Sequence, residues 1–354
     1  MPHLPIHKCL ANGLAILSLF NVTASALAHD GSDVSNRLAQ GGSVKNSTKA
    51  SFLDTLRSSA TPQPSSKFWL GHGDMQLQTI KIADLKRDYY LYRPANKKLT
   101  YPLPTVIGLH GHFSSGPGME KMSGGLSALA DREGFLLVYP EGLDHSWNDG
   151  KIADLKPPHD DVAFVSQLMD KLIAAKLADA KRIYVAGISN GGFLAQYLAL
   201  KIPDRLAAVA SVSATVAEPY VPLKTGKPVP ILLMLSTEDT IVPWEGGSLG
   251  TLSAESESFG KLLSGAKSVQ FWVDNNHSGK VAHVTKLPDR DPHDETRVTE
   301  TAYGHGKSEV LFYQLDGGGH SWPGGEQYLP DLVIGPVCRD INGNEVIWNF
   351  FKRH

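Results

Sequence analysis

Ile183-Tyr-Val-Ala-Gly-Ile-Ser189-Asn-Gly-Gly-Phe-Leu-Ala-Gln-Tyr-Leu-Ala199 is the stretch whose reading decides the fold. It begins as a short apolar, β-branched run, turns through glycines with one serine at the apex, and continues as a helix. Phe193, Leu194, Tyr197, Leu198 and Leu200 recur at the spacing of a buried helix face. Gly187, Ser189 and Gly191 spell G-x-S-x-G. A strand that turns so sharply into a helix needs small residues on either side of the serine, and the turn lifts the hydroxyl above the sheet edge. The stretch therefore predicts strand, turn and helix, with Ser189 as candidate nucleophile; an ordinary strand-turn-helix is the competing interpretation.

Strands and helices alternate on both sides of it. Gln76–Ile82 and Arg87–Arg93 are expected as an antiparallel pair, the second ending at Pro94. Pro104–Leu109 is a short buried strand, Lys121–Arg132 a helix, Phe135–Tyr139 a strand and Asp161–Leu177 a helix with Asp160 as its N-cap. Beyond the serine, strands are expected at Ala207–Val212, Pro230–Leu235, Gln270–Val273 and Lys307–Leu315, with helices at Ser253–Ser264 and Asp340–Phe351 and a long loop over 274–306. Antiparallel strands followed by β-α alternation predict an α/β protein with a mostly parallel central sheet and helices on both faces. Its site is expected at the C-terminal ends of the parallel strands.

The first residues read as an export leader. Lys8 supplies positive charge, Leu10–Phe20 is an apolar run, and Ala26-Leu27-Ala28 is an A-x-A cleavage signal that puts the mature start near His29. The expected division is a leader at 1–28, a flexible polar lead-in at 29–66 and a catalytic domain at 67–354. A secreted or periplasmic location follows, and no later run is long and apolar enough to span a membrane. Without the leader's single lysine, 33 basic residues stand against 36 acidic ones. That balance argues against a nucleic-acid surface. Cys338 is then the only cysteine, so no intramolecular disulfide can form, and the thiol is expected to be buried.

A serine hydroxyl is a weak nucleophile near neutral pH and needs a base, oriented in turn by a carboxylate. The acid is expected after the apolar strand Ile231–Leu235, in Ser236-Thr-Glu-Asp239; Asp239 is the candidate and Glu238 its rival. The base is expected in Gly317-Gly-Gly-His320, where glycines let the backbone bring the imidazole close. An oxyanion hole would draw one backbone amide from His112 or Phe113, in the turn His110-Gly111-His112-Phe113, and the other from Asn190. Trp147, Trp244 and Trp322 adjoin these motifs and are candidates for a substrate wall or for packing beneath the loops. His277, His283 and His293, with Asp289, Asp291 and Asp294, follow no compact zinc spacing, so no metal and no organic cofactor are expected. Lys286, Arg290 and Arg297 in the same segment offer charge to an acidic polymer.

With these residues in place, the chain resembles the α/β-hydrolase group of extracellular polyhydroxybutyrate depolymerases and feruloyl or acetylxylan esterases. The resemblance spans roughly residues 75–354. It rests on His110-Gly111, Tyr139-Pro-Glu-Gly142, Trp147-Asn148, Asp160-Asp161-Val162, Gly187-Ile-Ser189-Asn-Gly-Gly, Asp239 with Val242-Pro243, Leu287-Pro-Asp-Arg290 and Gly318-Gly-His320-Ser-Trp-Pro. It implies Ser189 as nucleophile, His320 as base and Asp239 as acid in an esterase acting on a small or polymeric ester. Many relatives staple the site with disulfides, which this mature chain lacks. The competing functions are an amide-polymer hydrolase acting on a substrate such as poly(aspartate), a serine peptidase, and a non-catalytic binding protein on the same scaffold.

Overall fold

The computed structural model describes residues 69–151, 159–249, 260–280 and 282–354. The leader and the lead-in expected at 1–66 lie outside these residues, as does most of the helix expected at Ser253–Ser264.

Ten strands form one sheet. In chain order they are β1 (Asp74–Ile82), β2 (Leu85–Arg93), β3 (Leu103–Leu109), β4 (Leu136–Pro140), β5 (Ala178–Ile188), β6 (Ala208–Val212), β7 (Ile231–Ser236), β8 (Ala282–Lys286), β9 (Arg297–Tyr303) and β10 (Val310–Asp316). Their spatial order is β1-β2-β4-β3-β5-β6-β7-β10-β9-β8. The six central strands, β4 to β10 in that order, are parallel. Antiparallel strands close each edge: β1 and β2 on one side, β9 and β8 on the other.

β4, β6 and β7 are buried along their whole length, as expected of parallel strands covered on both faces. One face carries Phe164 and Leu168 of α3 (Asp161–Ala174), Phe193 and Leu194 of α4 (Asn190–Lys201), and Trp272 of α5 (Gly265–Asn275). The other carries Met119 of α1 (Gly116–Met122), Leu129 of α2 (Leu126–Glu133), and Trp348 and Phe351 of α7 (Gly343–Phe351). Each fully buried side chain of this size contributes about 1.5–3 kcal/mol. Cys338 is buried, as expected. Among the described residues no helix is long and apolar enough to cross a membrane.

Four local expectations are corrected. The helix expected over Lys121–Arg132 is two helices, α1 and α2, because Gly124 and Gly125 adopt φ of 71° and 100° and break the ladder between them. Gln270–Val273 is not a strand but the heart of α5, capped by the Ser264 side chain, which accepts from Lys267 N–H. A short apolar run does not separate helix from strand by itself, and here Gly265, Ser268, Val269 and Trp272 supply a buried helical face. Residues 260–264, the described end of the helix expected before it, are not helical. The long loop over 274–306 contains the β8–β9 hairpin, which extends the sheet beyond β10.

The chain passes from β3 out to β4 and then back across to β5. The direction of winding therefore reverses between β3 and β5, and the crevice at their C-terminal ends is where an open α/β sheet presents a site.

Candidate active site

Ser189 stands at that crevice, between β5 and α4, with φ 54° and ψ −124°. A side-chain-bearing residue adopts such a conformation only where its surroundings enforce it. They do so here by close packing. A Cβ on Gly187 would lie 2.2 Å from Gly191 O, and one on Gly191 would lie 2.2 Å from Leu109 O. Both positions therefore exclude every larger residue. Ser189 N–H donates to Val212 O at 2.9 Å, tying the turn to the end of β6.

Asp239 follows β7 and is 7% exposed, whereas its rival Glu238 is exposed. Asp239 Oδ1 accepts from the amides of Ile241 and Val242 at 2.9 and 2.8 Å. The carboxylate is thereby fixed before it meets the imidazole. His320 Nδ1 lies 2.8 Å from Asp239 Oδ2 and 3.0 Å from Oδ1. That contact assigns the proton to Nδ1 and leaves the Nε2 lone pair to act as a base. The glycines before His320 are needed for approach: Gly317 has φ 77°, and a Cβ on Gly319 would lie 2.1 Å from Ile334 O.

The turn after β3 meets the serine from the other side. A Cβ on Gly111 would lie 3.5 Å from Ser189 Cβ. His110 is fully buried; its Nδ1 bonds Gly111 O at 2.8 Å, and its Nε2 accepts from Gly142 N–H at 3.0 Å. Burial lowers its pKa to about 4, so it stays neutral and braces the turn. Beside it, Glu141 is pushed up to about 7, first by burial and then by Asp88, although it accepts from Gly116 N–H at 2.7 Å.

The structure separates the two amides proposed for this turn. Phe113, at φ 61°, donates its N–H to His145 O at 2.8 Å, so that amide is committed elsewhere. The His112 ring lies against Phe113 with centroids 3.8 Å apart, and its Nδ1 meets Ser146 Oγ at 2.8 Å. Asn190 opens α4, where first-turn amides have no helical partner. Its side chain clamps the loop above: Oδ1 accepts from Trp147 N–H at 2.8 Å, and Nδ2 donates to Asp149 Oδ2 at 2.6 Å and Trp147 O at 3.2 Å.

The tryptophans divide. Trp147 is 3% exposed and donates Nε1–H to His110 O at 2.8 Å, which makes it a packing residue under the turn. Trp322 is fully buried and donates to Asn344 Oδ1 at 2.9 Å. Neither side chain offers a face to a substrate. Trp244 is half-buried, lies against Gly265 at the start of α5 and stacks with Phe312 at 6.3 Å between centroids. In the hairpin region, Arg297 pairs with Asp289 at 2.6 Å, and the Arg290 amide docks on Asp340 Oδ1. Among the described residues no group of three or more His, Cys, Asp or Glu is arranged to hold a metal ion.

Two buried ion pairs beside the site escaped the sequence pattern. Asp149 and Lys151 form a buried ion pair, and Lys151 Nζ sits 4.0 Å from the centre of the Phe193 ring. Burial pulls the Lys151 ammonium below its ordinary range, against the attraction of Asp149. Arg87 and Asp161 form a second buried pair at 2.7 Å, and Asp161 also accepts from Asn148 N–H at 2.6 Å. In a sequence, a charged residue in a loop and one at a helix start read as solvated; nothing local signals their burial.

A mixed sheet with a parallel centre, helices on both faces and a strained serine at the winding reversal defines an α/β-hydrolase fold. The family described as esterase PHB depolymerase matches residues 87–220. NocK of Nocardia uniformis subsp. tsuyamanensis, which bears an esterase name, is 30% identical over 280 residues, covering 77% of this chain and 80% of that one. Poly(3-hydroxyalkanoate) depolymerase C of Paucimonas lemoignei is 28% identical over 115 residues, covering 31% of this chain and 27% of that one. The solved acetyl xylan esterase from Aspergillus awamori shares the fold at a TM-score of 0.50 and 14% identity, over 80% of this chain and 100% of that one. The chain belongs to the PHB-depolymerase-type family of α/β-hydrolase esterases and is a carboxylic ester hydrolase.

Proposed function

We propose that this chain is an exported serine esterase of polyester-depolymerase type, with Ser189 as nucleophile, His320 as base and Asp239 as the acid that orients it. The observation that carries this reading is the strained Ser189 at the end of β5 together with the Asp239–His320 contact at the ends of β7 and β10. Ser189 Oγ attacks the ester carbonyl as His320 Nε2 takes its proton. The amides of His112 and Asn190 stabilise the tetrahedral oxyanion, each worth roughly 3–4 kcal/mol in the transition state. His320 then returns the proton to the leaving alcohol oxygen, and water repeats the sequence on the acyl-enzyme. Export rests on the leader through Ala28.

The polyester reading draws support from the family match and the Paucimonas depolymerase. Acetylated xylan and a feruloyl ester are the second reading, supported by relatives 30% identical over part of this chain that carry acetylxylan esterase and feruloyl esterase names; an amide polymer such as poly(aspartate) ranks below both. The test is hydrolysis by the purified mature chain of polyhydroxybutyrate, acetylated xylan, methyl ferulate and poly(aspartate), with Ser189→Ala as control. Soluble hydroxyacid released from polyhydroxybutyrate, and none by the variant, is expected. Full activity of Ser189→Ala would overturn the mechanism, and turnover of acetylated xylan alone would overturn the substrate.

A further inference from the structure

His320 is held by more than Asp239. The segment Gln327–Pro336, which includes the short helix α6 (Asp331–Ile334), crosses over its loop. The His320 N–H donates to Ile334 O, and the His320 carbonyl accepts from the Tyr328 hydroxyl at 3.0 Å. Both polar groups of the His320 main chain are therefore satisfied by one segment. The same segment grips the neighbouring loops. Gly319 N–H donates to Pro336 O at 2.8 Å, and Thr240 Oγ, one residue past the acid, donates to Val333 O at 2.7 Å. Gln327 closes the segment on itself: Nε2 donates to Leu329 O and Gly335 O, and Oε1 accepts from Val337 N–H. From the opposite side, Ser213, at φ 47°, donates to Ser321 O at 3.3 Å.

Building on the esterase reading above, we propose that Gln327–Pro336 is a strap that sets the position of His320, and that Tyr328 is its positioning residue. The case for Tyr328 is that it is not a core tyrosine. It remains 39% exposed, while its hydroxyl reaches inward to the His320 carbonyl. Burial, and then the charge of Asp239, holds the phenol well above its ordinary value, so it remains a hydrogen-bond donor throughout the working pH range. Without that bond the His320–Ser321 peptide is held only through the Ser321 N–H, which donates to Gly319 O at 2.9 Å, and it can tilt about that contact. The imidazole then loses alignment between Asp239 and Ser189, while the substrate's own contacts stay unchanged.

The test is Tyr328→Phe beside Tyr313→Phe. Tyr313 also donates its hydroxyl, to Glu300, but on the β9–β10 pair. Tyr313→Phe therefore reports the general effect of losing a tyrosine hydroxyl bond. With a soluble p-nitrophenyl ester, Tyr328→Phe is expected to lower kcat about five- to tenfold, the size of one lost hydrogen bond, with KM unchanged and Tm within a few degrees of Tyr313→Phe. Labelling of Ser189 by a fluorophosphonate slows in parallel, whereas Tyr313→Phe keeps wild-type kcat. A kcat for Tyr328→Phe within twofold of Tyr313→Phe, or a loss expressed in KM alone, overturns the strap. Ser189→Ala separates the two readings: if it is inactive while Tyr328→Phe turns over normally, only the strap fails.

Discussion

Glu141→Gln should change how stability depends on pH. Glu141 and His110 sit 3.7 Å apart beneath the turn after β3, both largely out of water. Burial raises the Glu141 pKa from 4.5 to about 7 and lowers that of His110 from 6.5 to about 4. For Glu141, the native state holds its proton more tightly than the unfolded chain does. Its contribution is fully present below pH 4.5 and is lost as the pH rises through 7. For His110 the native state resists protonation, so stability is lost as the pH falls from 6.5 towards 4. Each change spans about 3 kcal/mol at roughly 1.4 kcal/mol per pH unit. Between pH 4.5 and 6.5 the two slopes oppose and nearly cancel. Glutamine keeps an acceptor for Gly116 N–H and cannot titrate, so it exposes the His110 slope. Urea unfolding followed by tryptophan fluorescence, from pH 4.5 to 7.5, gives the quantity needed. The free-energy difference, wild type minus variant, is expected to fall by about 3 kcal/mol across that range. Any fixed cost of the substitution drops out of this change. A difference that stays constant with pH would refute the argument.

Asp239→Asn is expected to lower kcat by about 10⁴-fold with little change in KM, because the amide no longer selects the Nδ1–H form of His320; steady-state kinetics on a soluble ester checks it. Lys151→Met strands the buried Asp149 carboxylate and should cost about 3–5 kcal/mol in urea unfolding, a loss that would be absent if the pair were solvated. Gly191→Ala places a Cβ 2.2 Å from Leu109 O, so soluble yield and fluorophosphonate labelling of Ser189 should both collapse.

The parts of the site that could be read in advance are those encoded over a few residues. Gly187 and Gly191 mark the elbow because a turn this tight rejects any Cβ, and Asp160 marks its helix because its side chain accepts from Ala163 N–H three residues on. The motifs around Asp239 and His320 stand out because each follows an apolar strand and interrupts it with turn residues. The alternation of such segments was enough to define the α/β class. The same local logic failed for residues 265–275, where a short apolar run serves either period, and for the hairpin across 274–306, whose polar strands bury few side chains.

The sequence by itself determined where the chain turns and which side chains stand at the strand ends, because backbone geometry is set by near neighbours. Only the tertiary structure decided what those side chains touch. The choice of Asp239 over Glu238 depends on a histidine 81 residues away, and the His320–Tyr328 bond on the path of a later strap. The engagement of Phe113 N–H with His145 O, the burial of Trp147 and Trp322, and the Asp149–Lys151 pair are set in the same way. Burial and hydrogen-bond partners at these positions follow from strand order, which places residues far apart in the chain at one edge of the sheet. The elbow at Ser189 is where the two levels meet: its strain is written in flanking glycines, and its surroundings come from the end of β6 and the turn after β3.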